Sequence, residues 1–332
     1  MQKILVIQTA FIGDVVLATG IVEKLHHYFP EAKIDFLLRK GNEALLRHHP
    51  FINEVLIWQK QKNKYTSLWK LLRKIRNHRY DRVINIQRFA ATGFLTVFSG
   101  AVQTIGFDKN PWSFAYTKKV RHQISSAENP IHEIARNNLL IEDITGPVAF
   151  RPRLYPGPAD EERIKEYRLA PYICIAPGSV WFTKQYPKDK WISFINQVPP
   201  ACRIYLLGGN NDAEVCKEIK DGSGHPALSN LCGQLSFLES AALIRTAAMN
   251  YVNDSAPMHF ASAVNAPVSA IYCSTLPSFG FGPLSENSTI IEIQEKLYCR
   301  PCGLHGRRSC PEKHFRCAGE IKDSQLLGVL KI

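Results

Sequence analysis

Short apolar runs alternate with amphipathic stretches twice along this chain, and one stretch dense in proline and glycine separates the two series. Strand-like runs lie at residues 4–7, 33–38, 55–58, 83–86 and 102–107, with helical spacing at 15–25 and 42–48. A second series has strand-like runs at 172–176, 203–207, 249–253 and 267–272, and helical stretches at 191–198, 212–220 and 238–247. Each helix returns the chain to the same edge of a sheet, so such alternation pairs its strands in parallel and gives an α/β fold. The break follows a helical stretch at 131–144 and runs from Gly146-Pro147 to Tyr155-Pro156-Gly157-Pro158. At 332 residues the chain exceeds one typical core. The expected architecture is therefore two Rossmann-like, doubly wound parallel-sheet domains, 1–155 and 156–332, facing across a cleft.

A hydrophobic content of 45% with 21% charged residues excludes a disordered chain. The nearest candidate for a membrane span, 89–107, is free of charge but is broken by Gly93, Gly100, Gly106 and Gln103, and reads as a buried helix followed by a strand. The N-terminus opens directly on a strand and puts Asp14 where a signal peptide needs its apolar centre, so a cytoplasmic protein is expected. The net charge of +12 asks for an acidic partner. Ten basic residues against one acid, Asp81, crowd the segment 60–88, where Leu68, Leu71, Leu72 and Ile75 recur at helical spacing. This predicts a helix with one buried stripe and a cationic outer face, which is either a partner surface or simply solvated.

In doubly wound sheets, ligands meet the carboxyl ends of strands, which singles out four loops. The first contains Gly13 and Asp14 at the opening of a helix. Asp14 in that place is a helix cap or a general base. No G-x-G-x-x-G occurs anywhere, which argues against a nicotinamide dehydrogenase. The second, after 172–176, carries Gly178, Ser179, Thr183 and Lys184: a glycine that permits close approach, two hydroxyls that can donate to phosphate, and one mobile cation. The third, at Gly208, places Asp212 and Glu214 at a helix start, where carboxylates suit the dipole and can also accept from ribose hydroxyls. The fourth, Asn253-Asp254-Ser255-Ala256-Pro257-Met258-His259, reads as strand, turn and helix start, with Ser255 as N-cap. Unpartnered N–H groups there would receive an anion. There is no Asp-x-Asp, so a diphosphate would be met by helix termini and lysine without a bridging metal.

Five of the nine cysteines are scattered in apolar contexts, while Cys299, Cys302, Cys310 and Cys317 form C-x2-C-x7-C-x6-C. In a cytosolic protein this spacing leaves open a structural zinc site, with His305 or His314 able to replace one thiolate, as well as free thiols or a disulfide.

Three of these loops in series resemble the ADP-heptose:lipopolysaccharide heptosyltransferases, glycosyltransferase family 9. The residues that carry the resemblance are Lys3 to Ile7 with Ile12-Gly13-Asp14, Ala176-Pro177-Gly178-Ser179 through Lys184, and Asn253-Asp254-Ser255 through His259; Cys299-Arg300-Pro301-Cys302 with Cys310-Pro311 is similar to the tail of many members. The resemblance implies a GT-B fold and an inverting, metal-independent transfer of a heptose or related sugar from an ADP-sugar to a lipopolysaccharide inner-core or lipid A-linked acceptor. It makes Asp14 the general base and Lys184 the stabiliser of the leaving group. Donor binding falls to Gly13, Gly178, Ser179, Thr183, Lys184, Gly208, Asp212, Glu214, Asp254, Ser255, Ala256, Met258 and His259. One departure is Ala256, where the family usually has glycine; alanine keeps its N–H but limits φ.

A phosphorylated, lipid-anchored acceptor would account for the basic stretch through Lys60, Lys62, Lys64, Arg73, Arg76 and Arg88. It would also place a monomeric enzyme at the cytoplasmic face of the inner membrane, against anionic lipid. Two other readings fit the residues less well. A nucleotide-sugar epimerase or hydrolase would keep the fold and consume donor without a lipid acceptor. A nucleic-acid binder would use the basic stretch with Tyr65, Trp69 and Tyr80, but the chain carries no recognised RNA or DNA motif.

Overall fold

The computed structural model describes residues 1–60, 64–126 and 128–330. They form two compact units, one of residues 1–125 and 131–155, the other of 126–130 and 156–332. Each unit is built on one six-stranded, all-parallel sheet, and the protein is an α/β molecule.

In the first unit the chain runs β1 (Lys3–Ile7), α1 (Ile12–Tyr28), β2 (Lys33–Arg39), β3 (Ile52–Trp58), α2 (Lys64–His78), β4 (Arg82–Asn85), α3 (Ala90–Val97), β5 (Gln103–Phe107), β6 (Lys118–Val120) and α4 (Glu133–Asn138). The spatial order is β3-β2-β1-β4-β5-β6. The central strands are buried on both faces: Ile4 to Ile7, Ile34 and Phe36 to Leu38 are almost wholly covered. That is why they read as continuous apolar runs rather than alternating ones. On α2 the stripe Leu68, Leu71, Leu72 and Ile75 packs with Leu5, Leu37, Val83 and, from α3, Leu95. The helical spacing at 42–48 yields only a single 3-10 turn, Glu43–Leu46, before Pro50. The stretch 131–144 divides into α4 and a second short helix, Glu142–Thr145.

The second unit repeats the plan with β7 (Tyr172–Ala176), α5 (Lys188–Gln197), β8 (Arg203–Leu206), α6 (Ala213–Gly222), β9 (Leu228–Asn230), α7 (Phe237–Thr246), β10 (Met249–Asn253), α8 (Ala256–Ala263), β11 (Val268–Tyr272) and β12 (Ser288–Glu292). Its order, β12-β11-β10-β7-β8-β9, is the same as the first when each unit's strands are counted from one. Trp191, Phe194, Tyr251 and Ile271 anchor its core, joined by Cys317, Ala318 and Leu326 from the tail.

In both sheets the chain's direction of travel reverses between the first and fourth strands, β1/β4 and β7/β10. Loops leaving two adjacent strands there diverge to opposite faces and open a crevice, the usual ligand position in this architecture. Among the described residues no helix is long and apolar enough to cross a membrane.

Candidate functional site

At the β7/β10 reversal, Asn253 ends β10 with its side chain fully buried. Its Oδ1 accepts from the Tyr186 backbone N–H (3.1 Å), and its Nδ2 donates to the Pro177 carbonyl (2.7 Å). One amide therefore fastens both ends of the 177–186 loop. Within that loop Phe182–Lys184 makes a single 3-10 turn, and Gln185 closes it onto the Ser179 carbonyl (2.6 Å). The next residue, Asp254, accepts from the Thr275 hydroxyl (2.7 Å) and pairs with the Lys184 ammonium (2.7 Å). The two side chains of that pair are only 15% and 10% exposed. Desolvation strengthens the attraction of a charge pair, so Lys184 is held in one place instead of sweeping solvent.

The start of α8 departs from expectation. Ser255 stands at the N-cap, but its hydroxyl donates back to the Asn253 carbonyl (3.3 Å) and caps no helix N–H. Pro257 has no N–H, and that of Met258 goes to the Ser255 carbonyl (3.1 Å). Donors for an anion thus reduce to Ser255 and Ala256. Met258 and His259 are buried under the turn.

Gly178 is demanded by a neighbour. A Cβ there would lie 2.1 Å from Asp212 Oδ1, and at Gly208 a Cβ would lie 2.8 Å from Asp212 Cβ. Asp212 also accepts from the Gly209 N–H (2.9 Å), which brings the β7 and β8 loops together around one carboxylate, while Glu214 is exposed. Thr183 is 1% exposed. Its hydroxyl accepts from Ser274 Oγ (2.9 Å) and from the Arg307 N–H (2.8 Å), and its own N–H donates to Arg307 (3.1 Å). It therefore anchors the tail loop over Lys184 and faces away from solvent.

The four tail cysteines line one cavity of about 290 Å³ with Thr183 and His314. All nine cysteines are free, and Cys299 Sγ lies 3.9 Å from His314 Nε2. Among the described residues only Asp35, Glu54 and His78 bring three metal-ligand atoms within 4.8 Å of one another, so the thiols stand wider than a closed tetrahedral zinc site requires. Those three are already paired, with His78 between the two carboxylates at 3.4 and 3.5 Å and Tyr80 donating to Asp35.

At the β1/β4 reversal of the first unit, Asp14 accepts from the Phe11 N–H (3.2 Å) at the start of α1, with Gly13 beside it. Its carboxylate interacts with the buried Arg136 guanidinium, which also pairs with Glu133. Burial and, less strongly, Arg88 push the Arg136 guanidinium down to about 10 against the opposing pull of Asp14. Burial, Arg136 and Arg88 push His122 down to about 4. Asp14, Arg88, Arg136 and His122 thus share one field, although Arg136 and His122 are far from Asp14 in sequence and no local pattern marks them. The remaining cations do not converge. Lys60 sits over the rings of Trp58 and Phe89, 5.6 Å from each, and its ammonium is held below its ordinary value by burial, Arg39 and Lys64. Lys64, Arg73 and Arg76 are strung along the exposed face of α2, whose rise separates the first from the last by roughly 18 Å. Lys62 lies outside the described residues.

Two outcomes follow. Gly178→Ala forces the Asp212 carboxylate aside and should cost about 1–3 kcal/mol of stability in urea denaturation; an unchanged midpoint and slope would show that the two loops are not packed as described. Folded His122 stays neutral until about pH 4, whereas unfolded it protonates near 6.5. The stability it confers is therefore complete above about 6.5 and is lost as pH falls toward 4. Melting temperature should decline less steeply over this window in His122→Gln than in wild type; parallel curves would refute the assignment.

A family model described as Glycosyltransferase family 9 (heptosyltransferase) matches residues 68–313. The lipopolysaccharide heptosyltransferase 3 of Escherichia coli is 26% identical over 277 residues, covering 80% of this chain and 82% of its own. Among solved structures, the E. coli ADP-heptose LPS heptosyltransferase II superposes with a TM-score of 0.80 at 21% identity, over 99% of this chain and 97% of its own. E. coli heptosyltransferase WaaC with ADP-2-deoxy-2-fluoro heptose gives 0.68 at 17% identity, over 88% and 93%. These two likenesses bear on the fold.

Proposed function

The chain belongs to glycosyltransferase family 9, the heptosyltransferases, and from that premise we propose that it moves a heptose from ADP-heptose to a lipopolysaccharide inner-core or lipid A-linked hydroxyl, with inversion and without a catalytic metal. The observation that carries the reading is the desolvated Lys184–Asp254 pair at the strand-order reversal of the second unit, set by Asn253. A solved protein of the same fold that holds an ADP-heptose analogue supports the choice of donor.

Each residue then has a defined task. Asp14 takes the proton from the acceptor hydroxyl as that oxygen bonds to the anomeric carbon, and the bond from that carbon to the diphosphate breaks on the opposite face. ADP departs with added negative charge, which the Lys184 ammonium stabilises together with the N–H groups of Ser255 and Ala256. Asp254 holds Lys184 in position and, with His259, borders the sugar and phosphate end. Ser179 supplies a hydroxyl to the diphosphate, Gly178 and Gly208 keep the neighbouring backbone close, and Asp212 or Glu214 accepts from the ribose. Thr183 acts by anchoring the tail loop against Lys184. Arg88 with Arg136, and the cations of the α2 face, meet the phosphates of a glycolipid acceptor at the cytoplasmic side of the inner membrane.

Asp14→Asn separates base from cap, since the amide oxygen still accepts from Phe11. Turnover of ADP-heptose onto a lipid acceptor should fall about 10²- to 10⁴-fold. Donor binding should persist: saturating ADP-heptose, at about a hundred times its dissociation constant, should stabilise wild type and variant alike by roughly 2.7 kcal/mol. Turnover at the wild-type rate would remove Asp14 as base, and stabilisation by another nucleotide sugar in place of ADP-heptose would remove the donor.

A further inference from the structure

We propose that the α2–α3 face of the first unit docks on an anionic lipid bilayer, through a ladder of aromatic rings that enters the headgroup region and a rim of cations that meets lipid phosphates. The proposal rests on the transferase reading only in supplying a route to a lipid-anchored acceptor; the surface itself is defined without it. Trp69 of α2 meets Phe94 of α3 edge-on at 5.3 Å, and Phe94 contacts Phe98 at 4.9 Å. Trp112 lies 6.0 and 5.5 Å from those two rings, and Phe114 stacks on Trp112 at 6.2 Å. Yet Trp69, Phe98 and Phe114 remain 56%, 40% and 78% exposed. Contiguous exposed apolar surface of this kind marks an interaction face, and rings with a polar edge suit the membrane boundary.

The ladder is built, not accidental. Asn110 donates to the Gln87 and Phe89 carbonyls (3.0 and 3.1 Å) and accepts from the Trp112 N–H (3.0 Å), which fixes the turn that carries Trp112 and Phe114. Its side chain reaches α3 only because residue 93 is glycine, where a Cβ would lie 2.0 Å from Asn110 Oδ1.

The charge is one-sided. Trp69, Arg73 and Arg76 follow at i, i+4 and i+7, so they share a helix face, and Arg76 donates to the Phe98 carbonyl (3.2 Å). Lys70 and Lys109 are exposed nearby in sequence. Asp81 is the only acid between residues 60 and 107, where it accepts from the Lys3 N–H, and there is none from 109 to 127. A second copy of the chain would bring two cationic rims together, whereas an anionic leaflet complements them.

The test uses the full chain and co-sedimentation with vesicles, without nucleotide or acceptor. Binding to phosphatidylcholine vesicles containing phosphatidylglycerol should exceed binding to pure phosphatidylcholine and weaken as salt rises. The double substitution Phe98→Ser with Phe114→Ser should weaken binding about tenfold or more, while melting temperature and turnover on detergent-dispersed acceptor stay unchanged. Equal binding by the variant, or absence of binding to the phosphatidylglycerol vesicles, would overturn the proposal. So would a wild-type dimer in sedimentation that the substitutions dissociate, which would assign the face to a second copy. Failure of the transferase reading is separate: it appears as absence of ADP release with vesicle binding intact.

Discussion

The side-chain amide of Asn253 is the contact on which the second unit's Lys184–Asp254 pair depends. A buried amide left without partners costs about 1–3 kcal/mol, so its two hydrogen bonds are nearly obligatory. Because they go to Pro177 and Tyr186, the end of β10 dictates the path of the loop after β7. That path brings Lys184 to Asp254, one residue beyond Asn253. The tail completes the arrangement from above through Thr183 and Arg307, and a Cβ at Gly306 would lie 2.9 Å from Lys184 Cγ. Three separate segments are thereby tied to one lysine.

The two units use the same topology for different chemistry. Both reverse strand order between the first and fourth strands, and each sets a charged residue at that reversal: Asp14 in one, Lys184 with Asp254 in the other. In the first the Asp14 carboxylate interacts with the Arg136 guanidinium, which Arg88 also faces, two cations that would attract phosphate. In the second, Pro257 and the Met258 bond remove helix-start donors, so in the proposed transfer the leaving-group charge falls mainly to the lysine. Ala256 still presents its N–H.

The fold class was legible because the central strands are buried on both faces. The runs at 172–176 and 249–253 coincide with β7 and β10 to the residue. Legibility failed at the sheet edges. β6 and β9 are only three residues each and β12 is largely solvated, so none of them carries a buried apolar run. Within the site, Lys184 and Asp254 were marked by glycine, hydroxyls and charge at strand ends, but their pairing was not, since nothing local ties residue 184 to residue 254. Arg136, His122, the two hydrogen bonds of Asn253 and those of Asn110 to Gln87 and Phe89 were likewise hidden, because each joins partners distant in sequence. At Gly178, expected to let the backbone come close to a ligand, the near neighbour within the fold is Asp212.

Whether Lys184, held by Asp254, is the seat of the donor diphosphate is the claim on which the rest turns. Calorimetric titration of ADP into wild type and Lys184→Ala tests it most directly. A charged hydrogen bond lost from a desolvated site is worth about 1.5–3 kcal/mol, so the variant should bind ADP roughly ten- to a hundredfold more weakly. Equal affinity in the two proteins would contradict it.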